Sequence, residues 1–144
     1  MEMLAEEFIH KLGAIASGEG IPKIAGMIMG YFIYFGRSAT LDDLAQELVV
    51  SKASVSTNCR LLIHLGVIEK LAKLGSRKIH FQLRDDPYED LISMAAKRLN
   101  DAEVVVERFL CEVDEPKRFE RISALKSFYG DMGSMLSGHK KGNK

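Results

Sequence analysis

Between Thr40 and Leu83 the apolar positions keep a helical period twice and then turn to strict alternation. Leu41, Leu44, Ala45 and Leu48 share one helical face, with Thr40 placed to cap that helix. Asp42 and Asp43 fall in its first turn, where carboxylates suit the helix dipole. After the apolar pair Val49-Val50, Ser51 is a good cap for a second helix. There Val55, Cys59, Leu62 and Leu65 form an inward stripe, while Lys52, Ser54, Ser56, Thr57 and Arg60 face the other way. Gly66 stops the helix, and Val67–Leu71 and Ile79–Leu83 then alternate like two strands around Leu74-Gly75-Ser76-Arg77-Lys78.

Longer helices flank this stretch. Leu4, Phe8, Leu12 and Ile15 make one amphipathic stripe, which Ser17-Gly18-Glu19-Gly20 breaks. Pro22 suits a first helical turn, and the helix from there to about Phe35 is apolar almost all round, so several neighbours must cover it. Gly26 and Gly30, four apart, give it a smooth strip that another helix can approach closely. Gly36–Ala39 predicts a turn and a short third strand. Asp85-Asp86-Pro87 starts a helix striped by Leu91, Ala95, Leu99, Ala102, Val106 and Phe109, and a break at 112–116 separates it from a stripe of Phe119, Ile122, Leu125, Tyr129, Met132 and Leu136. The fold class that follows is mainly α with a small β-wing: a winged helix-turn-helix over 20–86, an N-terminal helix over 1–19, C-terminal helices over 87–136 and a basic tail over 137–144. The apolar stripes of the end helices exceed what one small winged domain can bury, so the expectation is a homodimer clasped through them.

Composition changes the picture in one respect. The 144-residue chain has 47% hydrophobic residues, three prolines and zero formal net charge, which excludes a mainly disordered chain and a general polyanion binder. Yet residues 51–84 hold seven Lys/Arg against Glu69 alone, a local net of +6. A basic patch inside a neutral protein is what a positioned nucleic-acid surface needs. Cys59 and Cys111 form no metal-like cluster or disulfide framework, and Cys59 sits where the stripe needs an apolar group. The start, MEMLAEEFIHKLG, lacks the basic n-region of a signal peptide, and the longest apolar run, Ile24–Phe35, has 12 residues, too few to span a bilayer. A cytoplasmic protein without a membrane partner is expected.

The chemistry of the outward face fits double-stranded DNA. The N-terminal half of a helix entering the major groove supplies the contacts. Ser51 and the first free N–H groups suit a phosphate, and Lys52 suits a second. Ser54, Ser56, Thr57 and Asn58 have donor–acceptor groups for base edges, Arg60 the fork for guanine. Asn58 borders the buried stripe and reads equally as a tie to the neighbouring helix. Ser76, Arg77 and Lys78 at the hairpin tip suit phosphates or the minor groove. His10, His64, His80 and His139 are scattered, and no HExxH, GxSxG, P-loop or paired-Cys pattern is present. No enzyme, catalytic residue, metal or cofactor is therefore expected. The alternative is a winged helix used for protein–protein contact, which would more often carry apolar or acidic groups at positions 52, 54, 56, 57 and 60.

The chain resembles MarR-type winged-helix regulators, in particular the GbsR-like branch. The resemblance rests on Gly20-Ile21-Pro22, on Ala25–Gly30, on Val55-Ser56, Asn58, Arg60 and Leu62 running into Leu65-Gly66-Val67-Ile68, on Gly75-Ser76-Arg77-Lys78 and on Asp86-Pro87. It implies a dimeric transcription factor, expected to be a repressor, with a recognition helix in the major groove, a wing beside it and terminal helices as the dimer interface. A small-molecule effector is a further habit of such regulators. Met27 stands where an arginine is expected, Leu61, Ile63 and His64 at commonly charged positions, and Cys59 at a usual leucine. The apolar outer turn of that helix predicts extra packing by the wing or a neighbouring helix. Tyr31, Phe32, Tyr34 and Phe35 read as core aromatics rather than as a cage for a quaternary ammonium group.

Overall fold

A computed structural model of the chain describes residues 1–139, so residues 140–144 of the expected tail lie outside the described residues. It divides into two units, Met1–Pro87 and Tyr88–Lys144.

The first unit is built on a pair of helices, α1 (Met3–Gly18) and α2 (Lys23–Phe35). They meet along the glycine strip. A Cβ added at Gly26 would lie 2.5 Å from Ala16 Cβ and 2.9 Å from Gly13 Cα, so only glycine permits this approach. The close approach also explains a departure from the expected face of α1. Ala5, Ile9, Gly13 and Ala16 are buried, whereas Leu4 and Ile15 of the predicted stripe remain 66% and 57% exposed. The strip admits small side chains, so the helix turns by about one residue, or 100°, from the face its larger residues suggest. Met27, where an arginine was expected, is buried and would meet a Cβ at Gly13 at 2.8 Å, a place for a flexible thioether and not for a guanidinium.

Strand β1 (Ala39–Thr40) leads into α3 (Leu41–Leu48), and α4 (Lys52–Leu65) follows after the turn. The predicted caps are present. Thr40 and Asp43 form a reciprocal capping box, the Asp43 N–H donating to Thr40 Oγ1 (3.1 Å) and the Thr40 N–H to Asp43 Oδ2 (2.9 Å). Ser51 Oγ accepts from the Ser54 N–H at 3.1 Å, and Gly66 closes α4 in the left-handed region. Strands β2 (Ile68–Ala72) and β3 (Ile79–Leu83) make the hairpin, and β3 lies between β2 and β1 in an antiparallel sheet. Its register sets Ala39 opposite Phe81 and Thr40 opposite His80. Phe32, Ile28, Leu44, Val55, Cys59, Leu62 and Ile68 are fully buried and form the core on which the reading helix rests. Burial pushes the Cys59 thiol up to about 12, so it stays a small apolar group.

The second unit holds α5 (Pro87–Leu110) and α6 (Pro116–Ser137), as the Asp-Asp-Pro start and the break at 112–116 predict. Glu115 caps α6 by accepting from the N–H groups of Lys117 (3.0 Å) and Arg118 (2.9 Å). The helices meet at small residues: the Glu103 carboxylate lies against Gly130 and the Asn100 amide against Gly133. Lys126 lies 3.7 Å from Glu103. Large apolar groups, Val104, Val105, Phe109, Phe119, Leu125, Phe128 and Met135, stay exposed.

Candidate nucleic-acid interface

One face of α4, the start of α3 and the hairpin enclose a groove of about 430 Å³. Its rim carries Lys52, Arg60, Lys70, Arg77 and Lys78, and Cys59, Ile63, Ile79 and Phe81 form its apolar lining. Ile63 thus faces the same groove as Ile79 and Phe81 of the wing. Of the ten residues expected at the interface, Ser51, Lys52, Thr57, Arg60, Ser76, Arg77 and Lys78 are exposed, and Ser54 and Ser56 partly so. Arg60 Nη1 lies 3.4 Å from Ser56 Oγ, a weak contact that leaves most of the guanidinium fork unengaged within the chain. At the tip, Gly75 takes a φ of +83°, and Ser76 Oγ accepts from the Lys78 N–H at 3.2 Å, which shapes the turn carrying the two cations.

Asn58 departs from the other nine. Its residue is 8% exposed and its Nδ2 donates to the Ser54 carbonyl at 2.8 Å, so the amide is spent inside its own helix. The bond stays within α4 rather than tying it to the neighbouring helix as the alternative reading expects, and a base-edge contact would require the amide to leave that position.

One participant went unnoticed in the sequence. Asp42 lies between the two halves of the face: its Oδ1 is 3.0 Å from Lys52 Nζ and its Oδ2 is 2.9 Å from Lys78 Nζ. The hydrogen bond from Lys78, then that from Lys52, holds the Asp42 carboxyl below the ordinary aspartate value, and Asp42 in turn raises Lys78. The signal was the strand register. Carried two residues past Thr40 and His80, the antiparallel ladder sets position 42 against position 78.

Helix, turn, capped helix and basic wing in this order match known proteins in both sequence and shape. The chain is 28% identical over 137 residues to the HTH-type transcriptional regulator MmpR5 of Mycobacterium tuberculosis, covering 91% of this chain and 81% of that protein. It is 27% identical over 106 residues to the HTH-type transcriptional repressor GbsR of Bacillus subtilis, over 66% of this chain and 58% of GbsR. The chain is thus similar in sequence to HTH-type transcriptional regulators, GbsR among them. No protein-family model matches it. A crystal structure of a transcriptional regulator superposes with a TM-score of 0.82 at 24% identity, covering 92% of each chain, which shows the shared fold. The chain spans little more than half of GbsR. Both relatives are transcriptional regulators by name. Among the described residues no His/Cys/Asp/Glu group could hold a metal, and no helix is long and apolar enough to cross a membrane.

Proposed function

We propose that this chain is a MarR-type, sequence-specific DNA-binding transcriptional repressor that works as a homodimer in the cytoplasm. The observation that carries the reading is the groove rim, where five cations from α4 and the wing converge on one exposed face of a protein whose formal net charge is zero. Ser51 and Lys52 hold phosphates at the start of α4, Ser54, Ser56, Thr57 and Arg60 address base edges, and Ser76, Arg77 and Lys78 track the backbone beside the wing. Asn58 supports the helix from within. The exposed apolar groups of α1, α5 and α6 favour assembly through the end helices, since each large side chain that a partner buries contributes about 1.5–3 kcal/mol. Of these relatives GbsR is a repressor by name, which supports this sign of control. A small-molecule effector would act by its differential affinity for the two spacings of the paired readers.

Two variants test the assignment of roles. Arg60→Ala weakens binding at the cognate site by about 1–3 kcal/mol and much less on scrambled duplex. Lys78→Ala weakens all sequences alike and flattens the salt slope by about one unit. Equal losses for Arg60→Ala on every duplex would mean that it reads no base, and no binding even in dilute buffer would end the DNA reading.

A further inference from the structure

We infer that Asp42 is a resident competitor of DNA phosphates that sets the affinity and salt dependence of the face: its carboxylate bridges Lys52 at the start of α4 and Lys78 at the wing tip, and there it competes with DNA phosphates for both. The inference rests on the DNA-binding reading above and goes beyond it by giving the face a resident anion.

The geometry supplies the argument. Lys52 and Lys78 come from different elements, yet each places its ammonium within 3.0 Å of a different oxygen of one carboxylate. All three side chains are largely open to solvent, 46% for Asp42 and above 60% for both lysines, so the bridge lies on the surface where a phosphate would arrive. Exposed ion pairs are weak and exchange readily. A duplex oxygen can therefore replace the carboxylate, but each such contact gains less than it would at a free lysine. The penalty applies on every sequence. Base-edge contacts from Ser54, Ser56, Thr57 and Arg60 arise only at a matching site, so the penalty cancels between cognate and random duplexes and appears in absolute affinity and in salt dependence. The perturbed carboxyl and ammonium noted above are the expected companions of the bridge. The cap of α3 is made by Thr40 and Asp43, so the side chain of Asp42 is available for this role without serving as the cap.

Asp42→Asn keeps the shape and removes the charge. Affinity for a random duplex should rise, and the slope of log affinity against log salt should steepen by about one unit. One added unit corresponds to an advantage over the wild type that grows about three- to fourfold between 200 and 50 mM salt. Cognate affinity rises by the same factor as random-duplex affinity, so the ratio between them stays unchanged. Lys78→Ala combined with Asp42→Asn should return the slope near that of the wild type, because one charge of each sign is gone. Glu47→Gln, which removes an equal charge at a residue paired with Arg37, leaves the slope within a few tenths of a unit. If Asp42 instead only posts the wing in place, Asp42→Asn weakens cognate and random binding together and the double variant does not compensate; that result overturns the inference while leaving the DNA reading intact. A wild-type protein and an Asp42→Asn variant that both ignore every duplex overturn the two together.

Discussion

Gly26→Ala should destabilise the protein although alanine is the better helix former. Replacing a helix-interior glycine gains about 1 kcal/mol on propensity alone. Against this, the new methyl would sit 2.5 Å from Ala16 Cβ, 2.8 Å from the Leu12 carbonyl oxygen and 2.9 Å from Gly13 Cα. Carbon atoms rest at about 3.5–4.0 Å, so α1 has to retreat by about 1 Å. Two of the three obstacles are backbone atoms, which no rotamer change relieves. A gap of that size forfeits about a quarter to a half of the dispersion attraction along the face of Ala5, Ile9, Gly13 and Ala16. The net loss is about 2 kcal/mol, within the range of overpacked cores, and corresponds to a Tm lower by about 4–8 °C for a chain of this size. Gly18→Ala is the matched control, since a Cβ there meets nothing within 4 Å and the change should be neutral or mildly stabilising. Urea titrations followed by circular dichroism measure both. A Gly26→Ala protein as stable as the wild type would refute the close approach of α1 to α2.

Three further outcomes follow from named contacts. Asp43→Ala should cost about 1 kcal/mol at neutral pH by breaking the capping box. The Thr40 N–H holds the Asp43 carboxyl below its unfolded value, so this contribution is complete above the ordinary aspartate range and fades as pH falls through the folded value. Melting curves of the two proteins should accordingly converge toward pH 2, and a gap that persists unchanged there would count against the cap. Val49, a β-branched residue at φ 55° and 87% exposed, ends α3 in the left-handed region at a cost of about 1–2 kcal/mol. Val49→Asn should recover about 1 kcal/mol in chemical denaturation, and no gain would mean that the turn is unstrained. Finally, Val105→Asp on the open face of α5 should shift the sedimentation profile from dimer to monomer while helix content stays constant; an unmoved profile would place the subunit contact elsewhere.

Local chemistry was the legible part of this protein. Thr40, Ser51 and Gly66 each act on backbone groups within four residues, so the boundaries of α3 and α4 could be read from residue types alone. The alternation of the wing was visible for the same reason, apart from a shift of one residue in β2. What escaped depends on partners distant in the chain. The face of α1 follows from the need for small residues opposite Gly26 and Gly30, a constraint that outweighs the size of Leu4 and Ile15. Asn58 could belong to either side of α4 until the Ser54 carbonyl was seen to hold it. The Asp42 bridge joins residues 36 apart through the register of β1 and β3, and in sequence Asp42 is only one more acid in a helix's first turn.

The central claim, that paired copies present two basic readers to one duplex, meets its most direct test in selection of bound sites from fragmented genomic DNA by the purified chain. The enriched sequence should be two-fold symmetric, with half-site centres about 34 Å or one helical turn apart. Recovery of fragments with no shared sequence, or of a single unrepeated half-site, would contradict it.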